Sequence, residues 1–184
     1  MPEKPFHVSP RSPEYALLGF LYGQPNHGYN LHQQLITEFG YIWHVSQSHT
    51  YAILKRLAMQ GYISSAIQEQ EKLPARQHLQ LTDAGRRRFE DWLHTSSGSS
   101  MRAIRVELIT RLYFARMYDP GLIQLILGAQ SVEIENALTR LINTRKDVPP
   151  EQTFNRLSLE LRIRELRSVR EWLIICRETF AIKN

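Results

Sequence analysis

The first half of the chain alternates between helical and strand-like patterns of apolar residues. Helical spacing predicts a first helix that starts at residues 12–14, a second over about 29–39 and a third over 46–60. Ser46 stands where a hydroxyl group can cap the third helix, and Gly61 follows at the position that favours a left-handed conformation. This half therefore begins with three short helices, and the third has a sharply defined start and end.

Alternating positions follow, over residues 62–68 and 76–81, with a polar turn that contains a proline between them. This pattern predicts a β-hairpin, after which residues 82–85 open a fourth helix. Three helices, a hairpin and another helix are the layout of a winged helix-turn-helix domain, whose third helix enters the major groove of DNA. The predicted fold class is mainly α with a small β-hairpin wing.

The second half, after a Ser-rich stretch at residues 95–100 that reads as a flexible linker or loop tip, is helical throughout. We predict a DNA-binding domain with an amino-terminal arm over 1–95 and a helical dimerisation and effector domain over 96–184. The last helix, over about 151–181, repeats apolar residues in steps of three and four, as in a coiled coil. Apart from Arg162, the predicted dimer seam consists of Leu159, Leu166, Val169, Leu173, Cys176 and Phe180. Packing within the chain is the alternative for this seam.

The distribution of charged residues is more informative than the net charge. The net charge is +5, but residues 1–95 hold 9 basic and 8 acidic residues, so the predicted DNA-binding half is nearly neutral. Within it, residues 39–68 contain no Asp or Glu, although the chain has 18 of them. Phosphates repel carboxylates, so an acid-free helix suits a groove-reading element. A solvated face that lacks acids by chance is the other interpretation.

Several classes of protein find no support in the sequence. No apolar run is long enough to cross a bilayer, and a single cysteine fits a reducing cytoplasm, where we expect the protein to act. No phosphate loop, nucleophile motif or catalytic carboxylate cluster points to an enzyme. No cofactor is expected. The histidine pairs 27/32 and 44/49 are the nearest to metal-ligand spacing, yet neither has a Cys or an acidic cluster beside it, so no metal is predicted.

A set of short motifs, in order over residues 14–90, resembles the PadR family of bacterial transcriptional regulators. The motifs are Leu17-Leu18-Gly19, Pro25-Asn26-His27-Gly28-Tyr29, Tyr51 with Leu54-Lys55-Arg56-Leu57, Gly61-Tyr62-Ile63, and Arg76 with Leu81-Thr82-Asp83-Ala84-Gly85. The resemblance implies a winged helix-turn-helix followed by a three-helix dimerisation domain. It also implies release from DNA by a small aromatic effector, for which Trp92, Tyr113 and Trp172 are candidates, with plain core packing as their alternative.

Positions on the third helix assign the DNA contacts. Ser48, His49, Ala52 and Lys55 are expected at base edges, Arg56 at phosphate, and Ser46 and Thr50 at phosphate near the helix start. Tyr51 resembles the family tyrosine at the groove lip, and Lys72 and Arg76 are the cations of the wing. The predicted function is a homodimeric transcriptional regulator, a repressor on a pseudo-palindromic operator. The alternative is a winged-helix module that binds protein and not DNA.

Overall fold

The computed structural model describes residues 13–70 and 73–181, without the side chains of residues 66–77. It divides into two compact units, Met1–Leu93 and His94–Asn184. The first unit has four helices and a three-stranded antiparallel sheet of order β1-β3-β2. Its elements are α1 (Glu14–Gly23), β1 (Asn26–His27), α2 (Gly28–Phe39), α3 (Gln47–Met59), β2 (Ile63–Gln70), β3 (Leu73–Leu81) and α4 (Asp83–His94). The predicted winged helix-turn-helix layout is confirmed, and the structure adds the short strand β1.

The core of this unit lies where the three leading helices meet α4. The side chains of Leu17, Leu31, Ile53, Leu57 and Phe89 are fully buried there. Each comes from the apolar stripe of its own helix, and the stripes of the four helices pack together into one contiguous core. This packing turns the opposite side of α3 towards solvent.

Two glycines allow the wing to join the helices. Gly61 ends α3 with φ 74°, the left-handed conformation that its position after the helix predicts. Gly85, near the start of α4, lies close to the backbone just before β2. An added Cβ would be 1.9 Å from the carbonyl oxygen of Tyr62. Only a residue without a side chain fits at that point, because the obstacle is backbone.

The second unit consists of helices. A π-helical segment, Ala103–Leu108, leads directly into α5 (Ile109–Tyr118), which is followed by α6 (Leu122–Asp147) and α7 (Thr153–Ala181). The two long helices pack against each other in antiparallel fashion, since Arg145 pairs with Glu160 at one end and Arg177 reaches Ser131 at the other. No helix in the described part of the chain is long and apolar enough to cross a membrane.

The Ser-rich stretch at residues 95–100, predicted as a flexible linker or loop tip, belongs to this unit, and four of its six residues are exposed. Ser97 is buried, and its hydroxyl oxygen accepts a hydrogen bond from Nη1 of the buried Arg111. The backbone carbonyl of Gly98 accepts a bond from the Gln130 side chain at 3.5 Å. Ser97 therefore contributes to a polar site inside the helical unit, which composition alone does not distinguish from a solvated spacer.

Candidate nucleic-acid interface

The outward side of α3 is a solvent-exposed surface without acidic residues. Ser48, His49, Ala52 and Lys55 are all exposed and form what we call the recognition face. The inward side of the helix is apolar, with Ile53, Leu54 and Leu57 buried. Because the core fixes the inward side, the helix presents one cation and three small or polar side chains outwards in a fixed register.

The start of α3 has the predicted cap. The hydroxyl oxygen of Ser46 accepts a hydrogen bond from the backbone N–H of His49 at 3.3 Å and lies 3.1 Å from the hydroxyl of Ser48. Capping satisfies one of the backbone donors that a helix leaves open at its first turn. Both serines are exposed, so their predicted contacts with phosphate or base edges stay predictions.

Thr50 requires a correction. Its side chain is fully buried, with Oγ1 2.9 Å from Nδ1 of His32 and donating to the carbonyl of Ser46 at 3.3 Å. Its backbone N–H also donates to that carbonyl, at 3.0 Å. Neither donor faces solvent, so Thr50 does not take part in the surface as the sequence predicted. It fastens the start of α3 to α2 through His32.

Arg56 is held by a partner within its own unit. Its Nε and Nη2 both donate to Oε1 of Glu14, at 3.0 and 2.8 Å. Glu14 is buried and its other carboxylate oxygen lies 3.7 Å from Arg88. The Arg56 side chain is 47% exposed, which leaves part of the guanidinium at the surface. Its predicted phosphate contact stays a prediction, and a structural role stands beside it.

Tyr51 packs beside the turn before α2. An added Cβ on Gly28 would be 2.8 Å from Cε1 of the Tyr51 ring, so glycine is what allows the ring to approach the backbone. The ring is 45% exposed. Gly28 therefore sets the position of an aromatic side chain at the edge of the recognition face.

The wing residues are only partly described. Lys72 lies outside the described residues, and so does the side chain of Arg76, whose backbone pairs with Gln68. Their assignment to phosphate stays a prediction.

Most residues of the predicted dimer seam are buried by packing within the single chain. Leu166, Val169, Leu173 and Cys176 are buried in the single chain, on the helix that packs against α6. Leu159 and Phe180 are half-buried. Burial raises the pKa of the Cys176 thiol to about 11. These positions form core of the second unit, so dimerisation through them does not follow from their spacing.

A different apolar surface of α7 remains open. Phe154, Leu157, Leu161 and Ile175 are 87%, 60%, 59% and 58% exposed, and their intervals of three, four and fourteen place them on one side of the helix. We call this set the α7 outer face. The predicted dimer seam lies on the other side of this helix, where packing within the chain was the alternative, because both sides repeat apolar residues in steps of three and four.

The three candidate effector residues have different surroundings. Trp92 is buried in the first unit, where its ring stacks on Tyr15 at 4.6 Å between centroids. Tyr113 is half-buried in the second unit and meets Phe114 edge-on at 5.1 Å. Trp172 is half-buried on α7. Trp92 thus has a clear core role, and ligand binding at the other two stays a prediction.

The functional geometry includes two residues that the sequence did not single out. Glu14 falls where the first helix was predicted to start, and His32 was considered only as one half of a histidine pair without other metal ligands beside it. Their partners are 42 and 18 positions away, at Arg56 and Thr50. Local patterns carry no signal for contacts at such separations.

Fold and site together define a winged-helix protein. The model of the transcriptional regulator PadR-like family matches residues 17–91. Over that range the chain matches the family model, in agreement with the resemblance seen in its motifs. The negative transcriptional regulator PadR of Bacillus subtilis (strain 168) is 31% identical over 80 residues. The chain spans 44% of the length of that relative, and the alignment covers 44% of this chain.

Solved structures show similarity over more of the chain at lower identity. Bacillus subtilis PadR in complex with operator DNA is 20% identical with a TM-score of 0.44, and the match covers 97% of this chain and 99% of the other. Bacillus subtilis PadR in complex with p-coumaric acid is 21% identical with a TM-score of 0.41, covering 95% and 97%. The match to the family model covers residues 17–91, which is less than half of the chain.

Proposed function

We propose that the protein is a sequence-specific DNA-binding transcriptional regulator, acting as a repressor on a pseudo-palindromic operator. The observation that carries this proposal is the exposed, acid-free recognition face of α3, which displays Lys55 on a helix fixed by its apolar side. A helix held in this way within a helix-turn-helix domain fits the major groove. The match to the family model over residues 17–91 supports the same function.

Each side chain has a role in this proposal. Lys55 donates to guanine or to a phosphate, and Ser48 and His49 meet base edges near the start of the helix. Tyr51 contacts the backbone at the groove lip. Arg56 and the wing cations Lys72 and Arg76 contact phosphates, which position the domain without reading sequence.

Homodimerisation is the second part of the proposal. Two-fold symmetric proteins bind two half-sites one helical turn apart, which doubles the surface that reads DNA. The α7 outer face supports this, because Phe154, Leu157 and Leu161 expose large apolar side chains on neighbouring turns of one side of the helix, which a second chain would cover.

Release by a small aromatic effector is the third part, supported by the half-buried Tyr113 and Trp172. Titration of the protein with a panel of phenolic acids, followed by tryptophan fluorescence, tests it. Saturable quenching by one member is expected, and Trp172→Phe should reduce it. A flat response across the panel contradicts an aromatic effector and leaves DNA binding unaffected.

A protein-binding module without DNA binding is the alternative. The nearly neutral charge of residues 1–95 favours it, since DNA-binding domains commonly carry a basic surface. The decisive experiment is selection of bound duplexes from a random pool. Enrichment of a two-fold symmetric sequence, with affinity that falls as salt rises, supports the regulator. Failure to enrich any sequence at low salt favours the protein-binding module.

A further inference from the structure

Two histidines face each other in the sheet of the first unit. His27 on β1 and His78 on β3 are register partners, and their ring centroids are 5.0 Å apart with the ring planes inclined by 56°. They are 51 positions apart in the sequence, so no local spacing indicates the pair. Both residues are half-buried, which shelters the rings on one side and leaves them reachable from solvent.

The backbone holds this pair in place. Directly opposite residues of an antiparallel ladder have their Cβ atoms about 5 Å apart on the same side of the sheet. α2 begins at Gly28, immediately after His27, and Asn26 accepts a hydrogen bond from the backbone N–H of His27 at 2.8 Å through its side chain. On the other strand, Leu79 next to His78 is buried. The two imidazoles are therefore presented by anchored backbone on both strands.

This separation fits the coordination of one metal ion. Imidazole nitrogens bind Zn²⁺ at about 2 Å, which places the ion roughly 3 Å from each ring centroid. With a tetrahedral angle at the ion, two such rings have centroids roughly 5 Å apart. We propose that His27 and His78 form a site for one divalent transition-metal ion. In this proposal water completes the coordination beyond the two imidazoles.

The chemistry of the pair selects the ion. Neutral imidazole prefers Cu²⁺, Ni²⁺ and Zn²⁺, whereas Mg²⁺ and Ca²⁺ prefer oxygen ligands. Affinity for Cu²⁺ should exceed that for Ni²⁺ in the usual order of divalent ions. A bound ion links the residue before α2 to the inner strand of the wing. The inference does not depend on DNA binding, because the site lies within one unit and is complete in the free protein.

Metal titration of the tag-free, chelator-treated full chain tests the proposal. Calorimetry with Cu²⁺, Ni²⁺ and Zn²⁺ should show one ion per chain, and Mg²⁺ should give no binding. His27→Gln and His78→Gln should each weaken Ni²⁺ binding at least tenfold. His44→Gln and His94→Gln, which change exposed histidines just before α3 and on α4, are the matched controls and should bind Ni²⁺ as wild type does.

A spectroscopic measurement on the wild-type chain keeps the test independent of how the variants fold. Electron paramagnetic resonance of the Cu²⁺ complex should show two equatorial imidazole nitrogens, and one in each single variant that retains the wild-type circular dichroism spectrum. Binding that survives in the His27→Gln, His78→Gln double variant, or a wild-type spectrum with fewer than two imidazole nitrogens, overturns the site. Neither result affects the proposed DNA binding, which is measured without added metal.

Discussion

Arg56 of α3 and Glu14 of α1 are joined by two hydrogen bonds to one carboxylate oxygen, at 3.0 and 2.8 Å. Glu14 is the first residue of its helix and only 4% exposed. The pair therefore fastens the helix that carries the recognition face to the first helix of the unit. A residue predicted from sequence as a DNA contact thus also fixes the orientation of that face.

Replacement of Glu14 by Gln should destabilise the first unit. The amide keeps the shape of the carboxylate but loses the charge that pairs with Arg56 and lies near Arg88. A charge-assisted hydrogen bond contributes about 1–3 kcal/mol, and partial exposure of Arg56 favours the lower end of that range. Urea unfolding followed by circular dichroism measures the loss. Glu135→Gln, at an exposed pair 3.8 Å from Arg170, should change stability by less than about 0.5 kcal/mol. Equal effects at both sites would contradict an anchoring role for Glu14.

Lys55→Ala and Arg56→Ala should have different consequences. Lys55 is exposed on the recognition face, so its loss should weaken operator binding by about 1–3 kcal/mol with unfolding unchanged. Loss of Arg56 should weaken binding and also lower the urea midpoint, because it leaves the buried Glu14 with one partner fewer. Shift assays and urea unfolding on the same preparations separate the two. Lys146→Ala, an exposed lysine of α6, is the control for charge alone. If Lys55→Ala bound the operator as tightly as wild type, the recognition face of α3 would not be the surface that contacts DNA.

Two glycine-to-alanine changes should act in opposite directions. Gly85→Ala places a methyl group 1.9 Å from the Tyr62 carbonyl oxygen, a clash that only backbone movement can relieve, and should cost about 3 kcal/mol. Gly128→Ala, in α6 with no atom within 4 Å of the new Cβ, should stabilise by about 0.5–1 kcal/mol through helix propensity. Thermal unfolding of both variants measures this. An unchanged unfolding temperature in Gly85→Ala would contradict this prediction, because it would mean that the backbone at Tyr62 moves aside at little cost in free energy.

Alkaline pH should weaken the second unit through Cys176. Burial raises the pKa of its thiol from 9.0 to about 11. The folded protein thus favours the neutral thiol. The resulting stability is complete below pH 9 and is lost as pH rises towards 11, by about 2–3 kcal/mol. Urea unfolding against pH for wild type and Cys176→Ala isolates the thiol. The pKa values of Tyr15 and Tyr22 are also raised. Both tyrosines are present in wild type and in Cys176→Ala, so their contribution to the pH dependence cancels in the comparison. Parallel curves between pH 8 and 11 would contradict the prediction.

Charge on the α7 outer face should separate the proposed dimer. Leu161→Glu introduces a carboxylate beside the three other apolar residues of this face, and light scattering should then report the mass of one chain. Ile174→Glu, at a residue 53% exposed on another side of the same helix, should leave the mass of two. A wild-type protein of single-chain mass at micromolar concentration would contradict dimerisation itself.

The sequence predicted the elements well because local rules govern them. The Ser46 cap, the left-handed Gly61 and the apolar stripe of α3 each depend on residues within one turn of the helix. The contacts of Thr50 and Arg56 depend on helices far away in the chain, and amphipathic spacing gave no means to place them. On α7 two sides of one helix satisfy the same periodicity, so spacing could not tell core from open surface.

The burial of Ser97 bears on how the protein can be divided for experiments. Cutting after the Ser-rich stretch, as its composition invites, would remove the hydroxyl that Arg111 uses and the carbonyl that Gln130 reaches. A stable carboxyl-terminal fragment must therefore start ahead of this serine, and replacing the stretch with a generic glycine-serine spacer should loosen the helical unit.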